Sequence, residues 1–362
     1  MTIEQLEAKI REAQKAYYNL DPIMSDQEYD ALLDALKTLK PTSEVAIAVG
    51  APVSSTSVWP KVEHEIPMGS LNKATKADEF FAWASKTGAQ EFVVTHKIDG
   101  SSMELIYESG RLLRCVTRGD GKIGEDVTPN ICQVPSIPKT IDFKGKLTVR
   151  GEVVMHKDVF QSKYAVDYAN PRNTAAGKVR DKKDGGKSCA DLAFYAYVVD
   201  IHHATFTETL AFLRDRGFLT PVAEFCGNAQ DVNAFFVKTE ESRASVPYEI
   251  DGMVVQINDT QLFDSLGSLN LRPEGAVAYK FTALTGVSRV RDVKWSVGPT
   301  GRISPVAIID PVNIGGVVVT RVSLQNLDTF RELALHEGCM VEVSRRNDTI
   351  PFLERKIEES NE

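Results

Sequence analysis

The sequence has no apolar run long enough to cross a bilayer, and its N-terminus lacks the basic-then-apolar order of a signal peptide. Both absences predict a chain that stays in the cytoplasm, with no membrane partner. Cysteine is scarce: Cys115, Cys132, Cys189, Cys226 and Cys339 are odd in number, scattered, and without a C-x-x-C. This excludes a disulfide framework and a structural zinc site, so free thiols and no zinc are expected. No internal repeat is visible. An excess of basic residues is missing too, since 42 Lys and Arg against 50 Asp and Glu leave a net charge of −8. Phosphate is met by a local patch rather than by the sum, so the total is only a weak argument against nucleic acid. One patch exists: Arg172, Lys178, Arg180, Lys182, Lys183 and Lys187 stand against only Asp181 and Asp184. Taken alone, such a run is more often a solvated loop.

At 362 residues the chain exceeds what one core usually fills, and two or three domains are expected. Ile3, Leu6, Ile10, Ala13 and Tyr17 recur at helical spacing. After Asp21-Pro22, Ser25-x-x-Glu28 resembles a capping box, followed by a stripe of Leu32, Leu33, Leu36 and Leu39 that Pro41 ends. Asp26, Tyr29 and Asp30 share a face of that second helix. Residues from Thr42 to Val62 read as a linker, and Lys76 to Lys86 as a helix. Strands follow at Phe92–Val94, Met103–Tyr107, Arg111–Val116 (after a Ser109-Gly110 turn), Leu147–Val153, Leu192–Val199 and Gly252–Ile257. A helix at Thr207–Arg216 separates two of them. The mixture predicts an α+β fold with antiparallel hairpins. Beyond about Thr285, short strands around Val293–Val297, Val306–Ile309, Val317–Val322 and Met340–Val343, with a helix at Leu324–Leu335, predict a small Greek-key barrel of the OB type.

Lys97-Ile98-Asp99-Gly100 follows an apolar strand. On those four residues alone, a hairpin with a solvated lysine is the ordinary reading. The alternative is a covalent nucleophile, an amine that attacks a phosphoanhydride from the end of a rigid strand. Nearby cations or a metal would lower its pKa. Downstream stand Thr117-Arg118-Gly119-Asp120-Gly121, Gly124-Glu125-Asp126-Val127-Thr128, Arg150-Gly151-Glu152, Asn170-Pro171-Arg172-Asn173, Pro247-Tyr248-Glu249-Ile250-Asp251-Gly252 and Ala278-Tyr279-Lys280-Phe281. In this order, with Tyr17, Tyr18, Asp26, Tyr29 and Asp30 ahead of them, these segments resemble the NAD-dependent DNA ligases over nearly the whole chain.

The resemblance implies three domains, a helical one at 1–65, a nucleotidyltransferase domain at 66–285 and an OB-fold at 286–362. It also implies three steps: Lys97 takes AMP from NAD, the AMP passes to the 5′-phosphate of a nick, and the 3′-hydroxyl displaces it. Positioned cations and Mg²⁺ would carry the phosphoryl charge. By resemblance, Lys97, Asp99, Asp251 and Lys280 are catalytic, with Asp99 and Asp251 near the metal. Ser70, Leu71, Thr95, Arg118, Glu152, Gln256 and Lys280 line the nucleotide pocket, and Glu152 accepts from the ribose. Arg172, Lys178, Arg180 and Arg243 meet AMP or nick phosphates, where the arginines offer two-pronged donors. Tyr17, Tyr18, Asp26, Tyr29 and Asp30 take the cationic nicotinamide half, which tyrosines stack on and aspartates pair with.

Four residues depart from the family pattern. Thr95 stands in place of a glutamate, Gln256 of a lysine, Pro299 of an arginine, and Tyr18 of a histidine found in some members. A glutamine amide still donates to a ring nitrogen, so the first two changes bear on adenine recognition more than on the chemistry. Relatives continue into a four-cysteine zinc module, helix-hairpin-helix units and a BRCT domain. A chain ending at Glu362 is then expected to be a fragment, a minimal viral-type enzyme, or one subunit of a split ligase whose partner carries those modules. Two other readings stand beside this one. An ATP-dependent ligase or RNA-capping enzyme would share K-x-D-G but has no use for the Tyr/Asp helix. A weak or inactive DNA-binding paralogue would not need Lys97, Glu152, Asp251 and Lys280 intact.

Overall fold

Leu6, Ile10 and Ala13 are buried along one stripe of the first helix, as their spacing predicts. The computed structural model describes residues 2–19, 23–24, 26–48, 50–51, 57–168, 170–281, 284–297, 303–314, 317–324, 330–331, 333–346 and 350–357. Among them no helix is long and apolar enough to cross a membrane. The chain divides into two units, one of Met1–Tyr17, Asp21–Pro41 and Thr282–Glu362, the other of Tyr18–Leu20 and Thr42–Phe281.

In the first unit, α1 (Ile3–Asn19) opens on a reciprocal cap: the Thr2 amide donates to Gln5 Oε1 at 2.9 Å and the Gln5 amide to Thr2 Oγ1 at 3.3 Å. Helix α2 (Asp26–Leu39) buries Leu33 and Leu36 but leaves Leu39 exposed, so its apolar stripe is a turn shorter than read. Ser25 of the expected capping box lies outside the described residues. The other part of this unit is a closed barrel. Its long first strands, Leu284–Val297 and Ile303–Ile314, wrap around Val290, Ala307, Ile309, Val319, Val341 and Val343. Strands Val317–Ser323, Met340–Arg346 and Ile350–Lys356 close it, and closure removes the exposed sheet edges. The OB-type expectation holds, with one strand (Ile350–Lys356) that the sequence did not announce. Half of the helix expected at Leu324–Leu335 falls outside the described residues, and so does Pro299.

Among its described residues the second unit carries two larger sheets and two small two-stranded ones. Strands β1 (Lys61–Glu63) and β2 (Asn72–Ala74) precede α4 (Ala77–Thr87), which follows the short α3 (Glu44–Ile47) and ends on the left-handed Gly88. Next come β3 (Phe92–Ile98), β4 (Ser101–Glu108) and β5 (Arg111–Thr117). The β4–β5 turn has Ser109 and Gly110 both at positive φ, the two-residue turn whose twist suits a hairpin. After β6 (Ile123–Glu125) and α5 (Thr128–Ile131) lie β7 (Lys146–Met155), α6 (Lys157–Lys163), α7 (Pro171–Arg180) and β8 (Leu192–Val199). Helix α8 (Phe206–Asp215) starts on a capping box of Thr205 and Glu208, and β9 (Ala223–Cys226), α9 (Ala229–Ser242) and β10 (Ile250–Ile257) follow. The unit ends with α10 (Thr260–Leu266), the two-residue β11 (Ser268–Leu269) and β12 (Arg272–Pro273), and β13 (Ala276–Lys280). One larger sheet runs β2-β13-β10-β3-β9 and the other β5-β4-β7-β8, while the two-stranded ones pair β1 with β6 and β11 with β12.

Two readings need correction. Over its described residues the stretch 42–62 is not a plain linker, because Val45, Ala46, Ala51 and Trp59 are buried and the Trp59 indole donates to the Arg180 carbonyl at 3.0 Å. A run of Ala, Ser and Val fits a packed segment as well as a loose one. Nor is the basic run a loop over its first ten residues, which form α7: Asn170 caps it by accepting from the Asn173 amide at 2.7 Å, and Pro171 opens the first turn.

Candidate active site

Strand β10 is the centre of the site. Its Gly252 pairs with Lys97 on one neighbour and with Lys280 on the other, so both lysines project from the same face of the sheet. A Cβ on Gly252 would lie 2.3 Å from the Tyr279 carbonyl oxygen, so nothing but glycine fits between the two lysines. The register of β10 on β3 shifts between Ile250 and Gly252. Asp251 is the extra residue of this bulge, and the bulge re-aims its side chain. Lys97 Nζ donates to both Asp251 carboxylate oxygens at 2.7 Å, and Lys280 Nζ lies 3.8 Å from one of them. Burial pushes the Asp251 carboxyl up, but the charges of Lys97 and Lys280 more than offset this and hold it below the usual range.

The next rows of the same face are Thr95, Val254 and Ala278, then Val93, Gln256 and Ala276. Thr95, Ala276 and Ala278 are small and buried, Val254 and Gln256 are half-buried with Gln256 diagonal to Thr95, and Val93 packs against Phe206 and Leu210. The opposite face belongs to the core through Phe92, Val94, Met253, Val255, Val277 and Tyr279. Alternation thus puts the two lysines on one face of these strands and the larger core cluster on the other.

Asp99 and Gly100 carry the chain from β3 to β4, and so from one sheet to the other. Gly100 has no room for a side chain, since a Cβ would lie 2.4 Å from the Val153 carbonyl oxygen. Arg172, in the first turn of α7, holds this crossing by donating from Nε to Asp99 Oδ1 at 2.7 Å and to the Gly100 carbonyl at 3.2 Å. On the second sheet Ser102 faces Glu152, whose carboxylate accepts from the Ser102 hydroxyl at 3.0 Å and the Tyr197 hydroxyl at 3.0 Å. Burial raises the Glu152 carboxyl from 4.5 to about 7, against the hydrogen bonds of Ser102 and Tyr197 and the charges of Arg172 and Lys97. Arg172 is felt by Asp251 as well, so the two sheets contribute to one charged site.

This shift has a measurable sign. Between 4.5 and about 7 the folded protein binds more protons at Glu152 than the unfolded chain does. Stability contributed by this group therefore falls as pH rises through that window, by on the order of 3 kcal/mol at the top. Glu152→Gln abolishes the titration. Thermal melts should show the variant gaining on the parent between about pH 5 and pH 8; a constant difference would mean that Glu152 is not strained by burial.

Several other residues read from the sequence also find partners. Arg118 Nη2 donates to the Gly69 carbonyl at 2.7 Å, while its buried Nε has no hydrogen-bond partner among the described residues. The Ser70 amide donates to the Leu271 carbonyl at 3.0 Å, and Leu71 is half-buried beside it. On α2, the Tyr29 hydroxyl accepts from Gln14 at 2.8 Å and Asp30 is half-buried. The side chains of Tyr17, Tyr18 and Asp26 lie outside the described set. The basic residues divide: Arg172 reaches the site, whereas Arg180 donates to buried Glu125 at 2.6 Å. Lys178 lies over the rings of Tyr164 and Tyr168, and Arg243 is buried against Phe281. In the barrel, Arg291 forms a two-pronged pair with Asp310. Sequence reasoning missed Ser102 and Tyr197. The polar Ser101-Ser102 start of an apolar strand was a usable signal for the first, but nothing local marks a tyrosine inside Leu192–Val199.

Three family models match in succession. The N-terminal NAD⁺-binding domain of DNA ligase-like proteins covers residues 1–46, the adenylation domain of NAD-dependent DNA ligases 56–284, and their OB-fold domain 287–362. A DNA ligase of Sorangium cellulosum is 37% identical over 383 residues, taking in 98% of this chain and 56% of that protein. One from Treponema denticola is 37% identical over 379 residues, 98% of this chain and 57% of that protein. One from Sulfurihydrogenibium azorense is 36% identical over 396 residues, 99% of this chain and 56% of that protein. The chain therefore spans a little over half the length of these relatives.

Proposed function

The chain belongs to the NAD-dependent DNA ligase family, and from that premise we propose that it moves AMP from NAD onto Lys97, then onto the 5′-phosphate of a nick in double-stranded DNA, which the 3′-hydroxyl seals. One observation carries the reading: Lys97 and Lys280 flank Gly252 on a single sheet face, with Asp251 bulged between them. The division into 1–65, 66–285 and 286–362 is part of the same proposal.

In the first step the Lys97 ammonium gives up a proton, for which Asp251 is the carboxylate in contact, and its nitrogen attacks the adenylyl phosphorus. The N–P bond forms as the bond to the bridging oxygen breaks, and nicotinamide mononucleotide leaves with the electron pair. Lys280, on the same row, faces the phosphoryl oxygens on which charge collects. The adenosine lies along the row of Thr95, Val254 and Ala278, with Gln256 at the base and Glu152 accepting from a ribose hydroxyl. Arg118 offers its unpartnered Nε to phosphate or ribose. Arg172 keeps Asp99 and Gly100 in place and lies where a DNA phosphate would pass, with Lys178, Arg180 and Arg243 as further cations. Tyr29 and Asp30, with Tyr17, Tyr18 and Asp26, take the nicotinamide half. In the second step a 5′-phosphate oxygen attacks the adenylyl phosphorus and Lys97 leaves. In the third the 3′-hydroxyl attacks the 5′-phosphorus, loses its proton, and AMP departs.

No group of three or more His, Cys, Asp or Glu side chains placed to hold a metal occurs among the described residues, and Asp99 and Asp251 are both ion-paired. That donor set suits Mg²⁺, which takes one or two carboxylates and fills its shell with water and substrate phosphates, better than a caged ion. Held at Asp99 or Asp251, Mg²⁺ would neutralise phosphoryl charge. Incubation with NAD or with ATP, each with Mg²⁺, followed by intact-mass measurement, tests the proposal. An AMP adduct is expected from NAD only; an adduct from ATP, or none from NAD, overturns it.

A further inference from the structure

Beneath Arg118 lies a buried charge cluster that the steps above do not use. His64 follows β1, and its side chain is fully buried. Its Nδ1 is 2.9 Å from Glu104 Oε1, and its Nε2 is 3.1 Å from the Thr117 carbonyl oxygen and 3.2 Å from that of Arg118. The other Glu104 oxygen takes Arg150, whose Nε is 3.0 Å and Nη2 2.9 Å away. Arg150 reaches on to the carbonyls of Ile66 and Pro67. The backbone of this segment is tied down as well, the His64 amide to the Lys122 carbonyl at 2.8 Å and the Met68 amide to Gly121 at 2.7 Å. Arg118 itself closes the circuit on Gly69.

Hydrogen-bond direction fixes the state of the ring. Carbonyl oxygens only accept, so Nε2 carries a hydrogen. Glu104 is gripped by two nitrogens of Arg150, Nε at 3.0 Å and Nη2 at 2.9 Å, and a carboxyl group paired in this way with a guanidinium is ionised. An ionised carboxylate only accepts too, so Nδ1 also carries a hydrogen. We propose that His64 is a positioning residue, a doubly protonated imidazole that pins the Arg118 turn and, through Glu104 and Arg150, the strap from His64 to Leu71, and so presents the Arg118 guanidinium to the nucleotide. This rests on the reading of Arg118 as a nucleotide contact. The strap is short and free of regular structure between β1 and β2, so the side-chain ties share with its few backbone hydrogen bonds the task of setting its path. A guanidinium carried on such a support is placed only as well as the support is held, and small misplacement of a binding group is costly.

Two measurements separate this inference from the function it rests on. Nitrogen NMR of the unliganded protein, with the His64 signals assigned by their loss in His64→Gln, needs no activity. Both ring nitrogens should bear hydrogens at neutral pH, and in Glu104→Gln one of them should become bare. A single hydrogen in the parent overturns the proposal whatever the enzyme does. In adenylation kinetics, His64→Gln should raise KM for NAD roughly tenfold or more and change kcat by less than about threefold, the pattern of lost binding rather than lost chemistry. The same substitution in an Arg118→Ala background should add little, because its effect passes through that guanidinium. Independent, multiplying effects would reduce His64 to a generic core residue and overturn the assignment. If the parent does not adenylate at all, the functional reading fails and the NMR result still stands.

Discussion

Lys97→Ala should gain no AMP from NAD under conditions that label the parent to completion. Attack needs an amine within about 3–3.5 Å of the phosphorus and in line with the leaving oxygen. Lys280 does not replace it. The two lysines flank β10 on opposite sides, so their backbones stand two inter-strand spacings apart, roughly 9–10 Å. An amine aimed from the second position meets the oxygens of the phosphoryl group and not its rear face. The variant should also fold, since Asp251 keeps Lys280 as a counter-ion when Lys97 is lost. Lys97→Arg sharpens the test, because it preserves the cation and the Asp251 pair yet removes the nucleophile, and it should be equally inert toward NAD. Neither variant needs Lys97 to seal a nick that already carries 5′-AMP, so that activity should survive. Intact-mass measurement with NAD settles the first claim: an AMP adduct on folded Lys97→Ala would move the nucleophile elsewhere.

What the residues disclosed in advance, and what they hid, follows from how local each signal is. The Lys97 strand announced itself through an apolar run ending in a D-G turn, both local features. Asp251 was legible as an acidic residue in its segment, but not as the extra residue of a bulge, which exists only in the register of β10 against β3. Glu152 was legible too, but its partners Ser102 and Tyr197 come from two other strands, and cross-strand neighbours leave no trace in linear spacing. Helix α7 hid inside a basic run because repeated cations suggest solvent, although Asn170-Pro171 is a recognisable start. The segment before β1 hid because its Ala and Val are spread among Ser and Pro, so Trp59 was the one residue that hinted at burial. Arg180 was read as a phosphate contact by resemblance, yet the fold gives it Glu125, a partner 55 residues away in sequence.

Removing the first helical pair should uncouple cofactor use from sealing. Tyr29 and Asp30 lie on α2, and the proposal gives them, with Tyr17, Tyr18 and Asp26, only to the nicotinamide half of NAD. That half is the leaving group of the first step and is absent from the other two. A chain lacking its contacts should lose adenylation by NAD by orders of magnitude, while a nick already bearing 5′-AMP is sealed at close to the parent rate. The structure decides where to cut. Truncation up to about Pro60 would remove Val45, Ala46, Ala51 and Trp59, which are buried in the second unit, and would confuse lost folding with lost binding. A chain starting at Thr42 retains all four. Replacing Tyr29 and Asp30 by alanine in the full chain serves as the milder version, since the helix keeps its buried Leu33 and Leu36. Both forms should show the same split, measured as AMP adduct from NAD on one side and joining of a pre-adenylated nick on the other. Equal loss of both activities in a folded variant would assign these helices to DNA or to the fold, and the expected preference for NAD over ATP would then have to be sought at Arg118 and Gln256.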